Sequence, residues 1–216
     1  MAKIDLKKAR LAQEIISSKI ILDDAFKTPI RHIGGVDVSF LKSRMIGSAV
    51  VLSFPELKVI EQKVVNVEVK VPYIPTFLAF REVPAMIRAI KSLKIKPEIY
   101  FIDANGILHP RKAGEASHVG VVLDIPTIGI AKSLLCGKVV GEGRIRKIML
   151  RNEVVGYEVK TNLRPIYVSP GHKVSLKTTL DLTLKVTRYR IPEPIRIAHI
   201  TATEAKRGMM TSLSGE

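Results

Sequence analysis

Asp103 closes an unbroken apolar run, Ile99-Tyr100-Phe101-Ile102, that reads as a strand buried on both faces. A carboxylate there must find a cation or hydrogen bonds, because an unpaired buried charge costs several kcal/mol. The turn signal Asn105-Gly106 follows at once, and His109, Arg111, Lys112 and His118 crowd the exit. Asp37 raises the same question inside GGVDVSF (34–40), where Val36, Val38 and Phe40 alternate against Asp37 and Ser39. Such a polar face is ordinarily solvated, yet Gly34-Gly35 permits close packing and suits a central strand. Glu82, in FREVP, would supply a third hard oxygen donor. Three such donors prefer Mg²⁺ or Mn²⁺ to softer metals. One or two of these ions, about 3.5–4 Å apart, activate water and steady a leaving 3′ oxygen in phosphodiester hydrolysis. Taken alone, Arg81-Glu82 reads equally well as a solvated helix face, and spacing leaves open whether the aspartates share a cation.

Other chemistries fail on spacing. DANG cannot open an EF-hand loop, which needs Gly sixth and Glu twelfth, where this chain has Leu108 and Gly114. No P-loop, GxGxxG, HExxH or GxSxG pattern is present. With Cys136 as the one cysteine, neither an internal disulfide nor a cysteine metal site is available.

The elements that must position the acids follow from periodicity. Leu6, Ala9, Ala12, Ile16 and Ile20 stand at helical spacing. GGVDVSF and two further strands within 45–69, turning near Pro55-Glu56, make three antiparallel strands. Residues 76–94 suit a helix with Pro84 near its start. A strand at 98–103, a helix at 115–123 and a strand at 127–133 come next, then short strands over 138–170 and helices near 175–189 and 194–208. The order helix, β-β-β, α, β, α, β predicts an α/β fold, a mixed sheet flanked by helices, within one domain spanning residues 1–216. That order is similar to the ribonuclease H-like architecture, whose neighbouring central strands carry acidic residues.

Bulk properties set limits. The 216 residues are 46% hydrophobic, enough for a core, and 35 Lys+Arg against 20 Asp+Glu give +15. That excess points to a polyanion, most often nucleic acid. The N-terminus lacks the apolar core of a signal peptide, and Asp124, Pro126 and Lys132 interrupt the most apolar later stretch. A soluble, cytoplasmic monomer is the expectation, with no membrane partner.

Four blocks in order, GGVDVSF, VPYIPTFLAFRE, DANGILHPRKAGEASHVGVVLDIPTIGIAKS and SPGHKVSL, resemble the motifs of endonuclease V, the deoxyinosine 3′ endonuclease. The resemblance runs from about residue 30 to 200 and implies a DNA repair enzyme. It implies hydrolysis of the second phosphodiester 3′ of deoxyinosine with Mg²⁺ (or Mn²⁺), leaving 3′-hydroxyl and 5′-phosphate ends. Asp37 and Asp103 would bind metal, Glu82 would be the catalytic glutamate, and Lys132 would balance charge at the scissile phosphate. His199 resembles the family's histidine close to the metal. By themselves, Lys132 reads as a surface lysine and His199 as a structural histidine. Tyr73, on a loop stiffened by the two prolines of VPYIP, resembles the family's wedge, which fills the gap left by an extruded base, and its neighbours Pro72 and Ile74 would bind substrate with it. Gly106 and Gly114 would let main-chain donors approach the base, while His109 and Arg111 would hold flanking phosphate. His118 is ambiguous and reads as structural. The family pattern leads one to expect Gly at Thr76 and Val83 and an apolar residue at Glu115, which puts base preference in doubt. The alternatives are an inosine-specific ribonuclease, another ribonuclease H-like nuclease such as a junction resolvase, and a non-catalytic basic binding module.

Overall fold

The computed structural model describes residues 4–213. Helix α1 (Leu6–Ser18) precedes strands β1 (His32–Leu41), β2 (Arg44–Ser53) and β3 (Val59–Glu68). Helix α2 (Ala79–Ser92), strand β4 (Ile99–Ile102), helix α3 (Glu115–Leu123) and strand β5 (Thr127–Ala131) follow. Strands β6 (Lys138–Val140), β7 (Ile145–Leu150), β8 (Glu153–Val159) and β9 (Ile166–His172) lead to helices α4 (Leu176–Val186) and α5 (Glu193–Leu213). All nine strands join one sheet in the order β3-β2-β1-β4-β5-β9-β8-β7-β6. β1, β4 and β5 run parallel at its centre, and antiparallel strands extend it on both sides. The expected mixed α/β sheet is therefore present.

The apolar runs of the central strands serve two cores at once. Ile33, Phe101, Ile128 and Ile130 face Leu182 and Val186 of α4 and Ile195 and Ala198 of α5. Val36, Tyr100 and Ile102 face Val83, Met86 and Ile90 of α2 and Val119 of α3 on the other side. Strands sandwiched by helices on both faces have no reason to alternate polar and apolar residues, which explains the unbroken run before Asp103.

Glycine sets one close approach that matters. A Cβ at Gly35 would lie 2.0 Å from the Pro194 carbonyl oxygen, so α5 crosses β1 nearly in backbone contact. Ser48 Oγ on β2 then donates to the Ala198 carbonyl at 2.7 Å, fixing the helix one residue before His199.

Two local readings differ from the sequence expectation. Helix α2 begins at Ala79 rather than near residue 76, which puts Pro84 in its second turn. The backbone enters through tight turns, with Phe80 N–H donating to Phe77 and Arg81 N–H to Leu78. Burial of Val83, Ala85 and Met86 then carries the helix past the proline. In α1 the predicted apolar stripe is inward except at its start: Ala9 is buried and Ala12, Ile16 and Ile20 half-buried, but Leu6 is exposed and the polar Gln13 is buried as well. Gln13 docks the helix by hydrogen bonds, Nε2 donating to the Thr76 carbonyl at 2.6 Å.

Candidate active site

Strand register alone brings two of the acids together. In the parallel β1–β4 pair Val36 stands beside Ile102, so the next step sets Asp37 beside Asp103 on the same face. The Asp103 N–H donates to the Val36 carbonyl at 3.0 Å, which continues the ladder one residue past β4. Lys132 follows directly after neighbouring β5, and its Nζ lies 2.5 Å from Asp103 Oδ2. From α5, seated against Gly35, His199 brings Nδ1 to 2.8 Å from Asp37 Oδ2.

Asp37, Asp103 and His199 each offer a ligand atom within 4.8 Å of the others. These three line a cleft of about 340 Å³ together with Glu82, Lys132, Leu78, Asn105 and Glu115. Glu82 thus reaches the cleft from α2 but stands outside the tight three-residue cluster.

Crowding leaves an electrostatic mark. Burial, with Glu115, Asp37 and Asp103 nearby, pushes the Glu82 carboxyl up to about 8. Burial and Asp37 raise Asp103 to about 6 despite Lys132. Burial and Asp103 raise Glu115 to about 7. The hydrogen bond to Asp37 raises His199. Packed carboxyl groups whose ionisation is so disfavoured attract added positive charge. Two carboxylates and an imidazole within a few ångströms fit a divalent cation that accepts oxygen and nitrogen ligands.

A second cavity, of about 210 Å³, adjoins the first and shares Leu78, Asn105 and Glu115 with it. Tyr73, Thr76, His109, Ala113, Ser133 and Leu135 are also on its lining. Tyr73 is 64% exposed, held on the loop that runs through Pro72 and Ile74. At Thr76 the backbone takes a positive φ of 65°, a conformation glycine adopts freely and threonine does not. The Thr76 carbonyl accepts from Gln13 Nε2 and, at 3.0 Å, from His109 Nε2. Thr76 Oγ1 accepts from Arg111 Nη2 at 3.0 Å, while Arg111 Nε donates to Gln13 Oε1 at 2.5 Å. One small network therefore ties α1, the Tyr73 loop and the loop after β4.

Three of the residues expected to bind substrate have partners within the protein. His109 is buried and its pKa is lowered to about 4, chiefly by desolvation. Nε2–H donates to Thr76 while Nδ1 accepts from the Arg111 N–H at 3.2 Å, so a neutral ring braces the loop and has no charge for a phosphate. The N–H of Gly106 donates to Ser169 Oγ at 3.0 Å, and that of Gly114 to the Gly106 carbonyl at 3.1 Å. Neither donor is therefore aimed into the cavity. A Cβ would meet the Pro170 oxygen at 2.1 Å from Gly106 and the Asn105 oxygen at 2.2 Å from Gly114, so these glycines fold the loop upon itself and upon β9. Their neighbours Asn105, Ala113 and Glu115 line the cavity instead. Arg111, with Lys112 and Arg151, lines a separate basic cavity of about 480 Å³. His118 is buried with its ring edge on Phe80, a packing role.

The sequence reading missed Gln13, whose polar side chain on an amphipathic helix carries no signal of burial. It also treated Glu115 only as a departure, although Glu115 lies between the two cavities.

Comparison with known proteins follows the same geometry. The family model for Endonuclease V matches residues 14–200. Endonuclease V of Dictyoglomus turgidum is 46% identical over 211 residues, covering 94% of this chain and 91% of that protein. The catalytic domain of human Endonuclease V superposes with a TM-score of 0.89 at 32% identity, covering 95% of this chain and 97% of that one. Endonuclease V of Ciona intestinalis, solved with a 24mer DNA containing an inosine followed by a ribo-adenosine, gives 0.88 at 31% identity, covering 94% and 98%. The chain belongs to the Endonuclease V family, nucleases that hydrolyse phosphodiester bonds.

Proposed function

We propose that this protein nicks DNA on the 3′ side of deoxyinosine, at the second phosphodiester bond, with Mg²⁺ as its cation. One observation carries the reading: a cleft holding Asp37, Asp103 and His199 shares the wall residues Leu78, Asn105 and Glu115 with a second cavity that has exposed Tyr73 on its lining. A base lifted from the duplex enters the second cavity, Tyr73 fills the gap in the stack, and the backbone lies across the acidic cleft. Hypoxanthine pairs weakly, which lowers the cost of extrusion.

Asp37 and Asp103, with His199, would hold the cation. When bound it supplies Lewis-acid activation of water and neutralises charge on the phosphate. Glu82 accepts the proton of the attacking water in its ionised form, and the burial that lifts it to about 8 makes that carboxylate a stronger base. Lys132, beside Asp103 and 39% exposed, donates to a non-bridging phosphate oxygen as negative charge builds there. Arg111, Lys112 and Arg151 hold the flanking strand.

An end-labelled duplex with one deoxyinosine, with and without Mg²⁺, tests the whole reading on a sequencing gel. A single product two bonds 3′ of the lesion, present only with the cation, is expected. Equal cutting of undamaged duplex, or full cutting without divalent cation, would overturn it. The ribo-adenosine in the nucleic acid bound by the Ciona relative favours inosine-containing RNA as a second reading. A matched RNA oligonucleotide cut faster than the DNA would establish it.

A further inference from the structure

Glu115 is 7% exposed and lies on the wall common to the metal cleft and the smaller cavity. Of the groups acting on its charge, only its own backbone N–H favours ionisation; burial and Asp103 both oppose it. Next to it on the same wall, Asn105 Oδ1 is buried with no hydrogen-bond partner among the described residues. A buried acceptor without a donor costs free energy, and so does a buried carboxylate whose one favourable partner is its own N–H; Asn105 and Glu115 bring both to one small cavity. A fold that keeps them there is spending stability on something that enters from outside.

We propose that Glu115, with Asn105 beside it, reads the Watson–Crick edge of the extruded base and restricts the enzyme to bases that present a ring N–H donor. This rests on the reading that the smaller cavity takes the base. Hypoxanthine presents N1–H next to its 6-oxygen, and uracil and xanthine, also products of deamination, present a ring N–H next to a carbonyl. Adenine turns a lone pair toward the same place, so acceptor oxygens there repel it. A cavity that requires a hydrogen bond rejects a base lacking it far more strongly than an apolar pocket could. Guanine keeps the N–H, and its strong pairing opposes extrusion before the cavity is reached. Base choice is thus assigned to side-chain acceptors, since the main-chain donors of Gly106 and Gly114 are used within the loop.

The test compares wild type, Glu115→Leu and Glu115→Gln in Mg²⁺ on duplexes that differ at one base, deoxyinosine or deoxynebularine. Nebularine is a purine without the 6-oxygen and without N1–H, so it offers no donor at the ring nitrogen. Because Glu115 also raises Glu82, absolute rates will shift, but the ratio of kcat/KM for the two substrates cancels that effect. Wild type should favour deoxyinosine, Glu115→Leu should lose about tenfold or more of that preference, and Glu115→Gln should keep most of it because an amide oxygen still accepts. An unchanged ratio in Glu115→Leu overturns the inference while leaving the nuclease reading intact. If Glu115→Leu does not fold, the isosteric Glu115→Gln is compared with Glu115→Ala, and equal ratios in wild type and Glu115→Ala have the same force. Failure of wild type to cut deoxyinosine overturns both.

Discussion

Replacing Asp103 with Asn should make the metal-free protein more stable while abolishing cleavage. Burial and the Asp37 carboxylate lift Asp103 from 3.8 to about 6 in the folded chain. A carboxyl whose pKa is raised on folding favours the native state when protonated and opposes it when ionised. The penalty is absent below about pH 4, builds between about 4 and 6, and is complete above that. About two units correspond to roughly 3 kcal/mol at pH 8. Asn keeps the shape and loses the charge, but it strands Lys132, which is exposed enough to be solvated at a cost below about 1 kcal/mol. A net gain of about 2 kcal/mol should raise the melting temperature by roughly 4–8 °C for a domain of this size. Differential scanning calorimetry in EDTA at pH 8 and again at pH 4 reads this directly, and the gain should vanish at the lower pH. Adding Mg²⁺ at about a hundred times its dissociation constant should stabilise wild type by about 2.7 kcal/mol and leave Asp103→Asn almost unmoved. A variant that melts below wild type at pH 8 without metal, or that shows the full magnesium shift, would refute the electrostatic account of the cleft.

Two further outcomes bear on the surrounding loops. Tyr73→Ala should reduce the ratio of deoxyinosine to undamaged cleavage more than it slows the cation-dependent step, since the ring is exposed and contributes little to the fold; parallel rates on lesion and control duplexes measure this. Gln13→Ala removes a buried amide bonded to both Thr76 and Arg111 and should cost about 1–3 kcal/mol in urea denaturation, far more than an exposed position on α1.

The chain announced its central strands and its aspartates because burial forces both into simple patterns. An apolar run ending at Asp103 and a lone acid at Asp37 between Val36 and Val38 are anomalies visible without neighbours. Their pairing depends on a parallel register that follows from strand order, and the order of elements supplied it. What stayed hidden depends on contacts between distant segments. Gln13 is indistinguishable from a surface glutamine until α1 is laid against residue 76, and Gly106 and Gly114 signal a close approach without saying what approaches. The internal partners of His109 and Arg111 were equally hidden, because a sequence displays the charge of a side chain and not what it bonds to. The start of α2 was misplaced because the tight turns at 77–81 mimic helical spacing before the helix begins.

The carbonyl oxygen of residue 76 accepts hydrogen bonds from three side chains, those of Gln13, His109 and Arg111. Because Gln13, His109 and Arg111 all converge at that residue, no member of the set can change its size or polarity without asking the others to answer. Substitutions among these four positions will be epistatic, harmful one at a time and tolerated as a block. Transplanting the Tyr73 loop between relatives should therefore succeed only when the matching residue on the first helix travels with it.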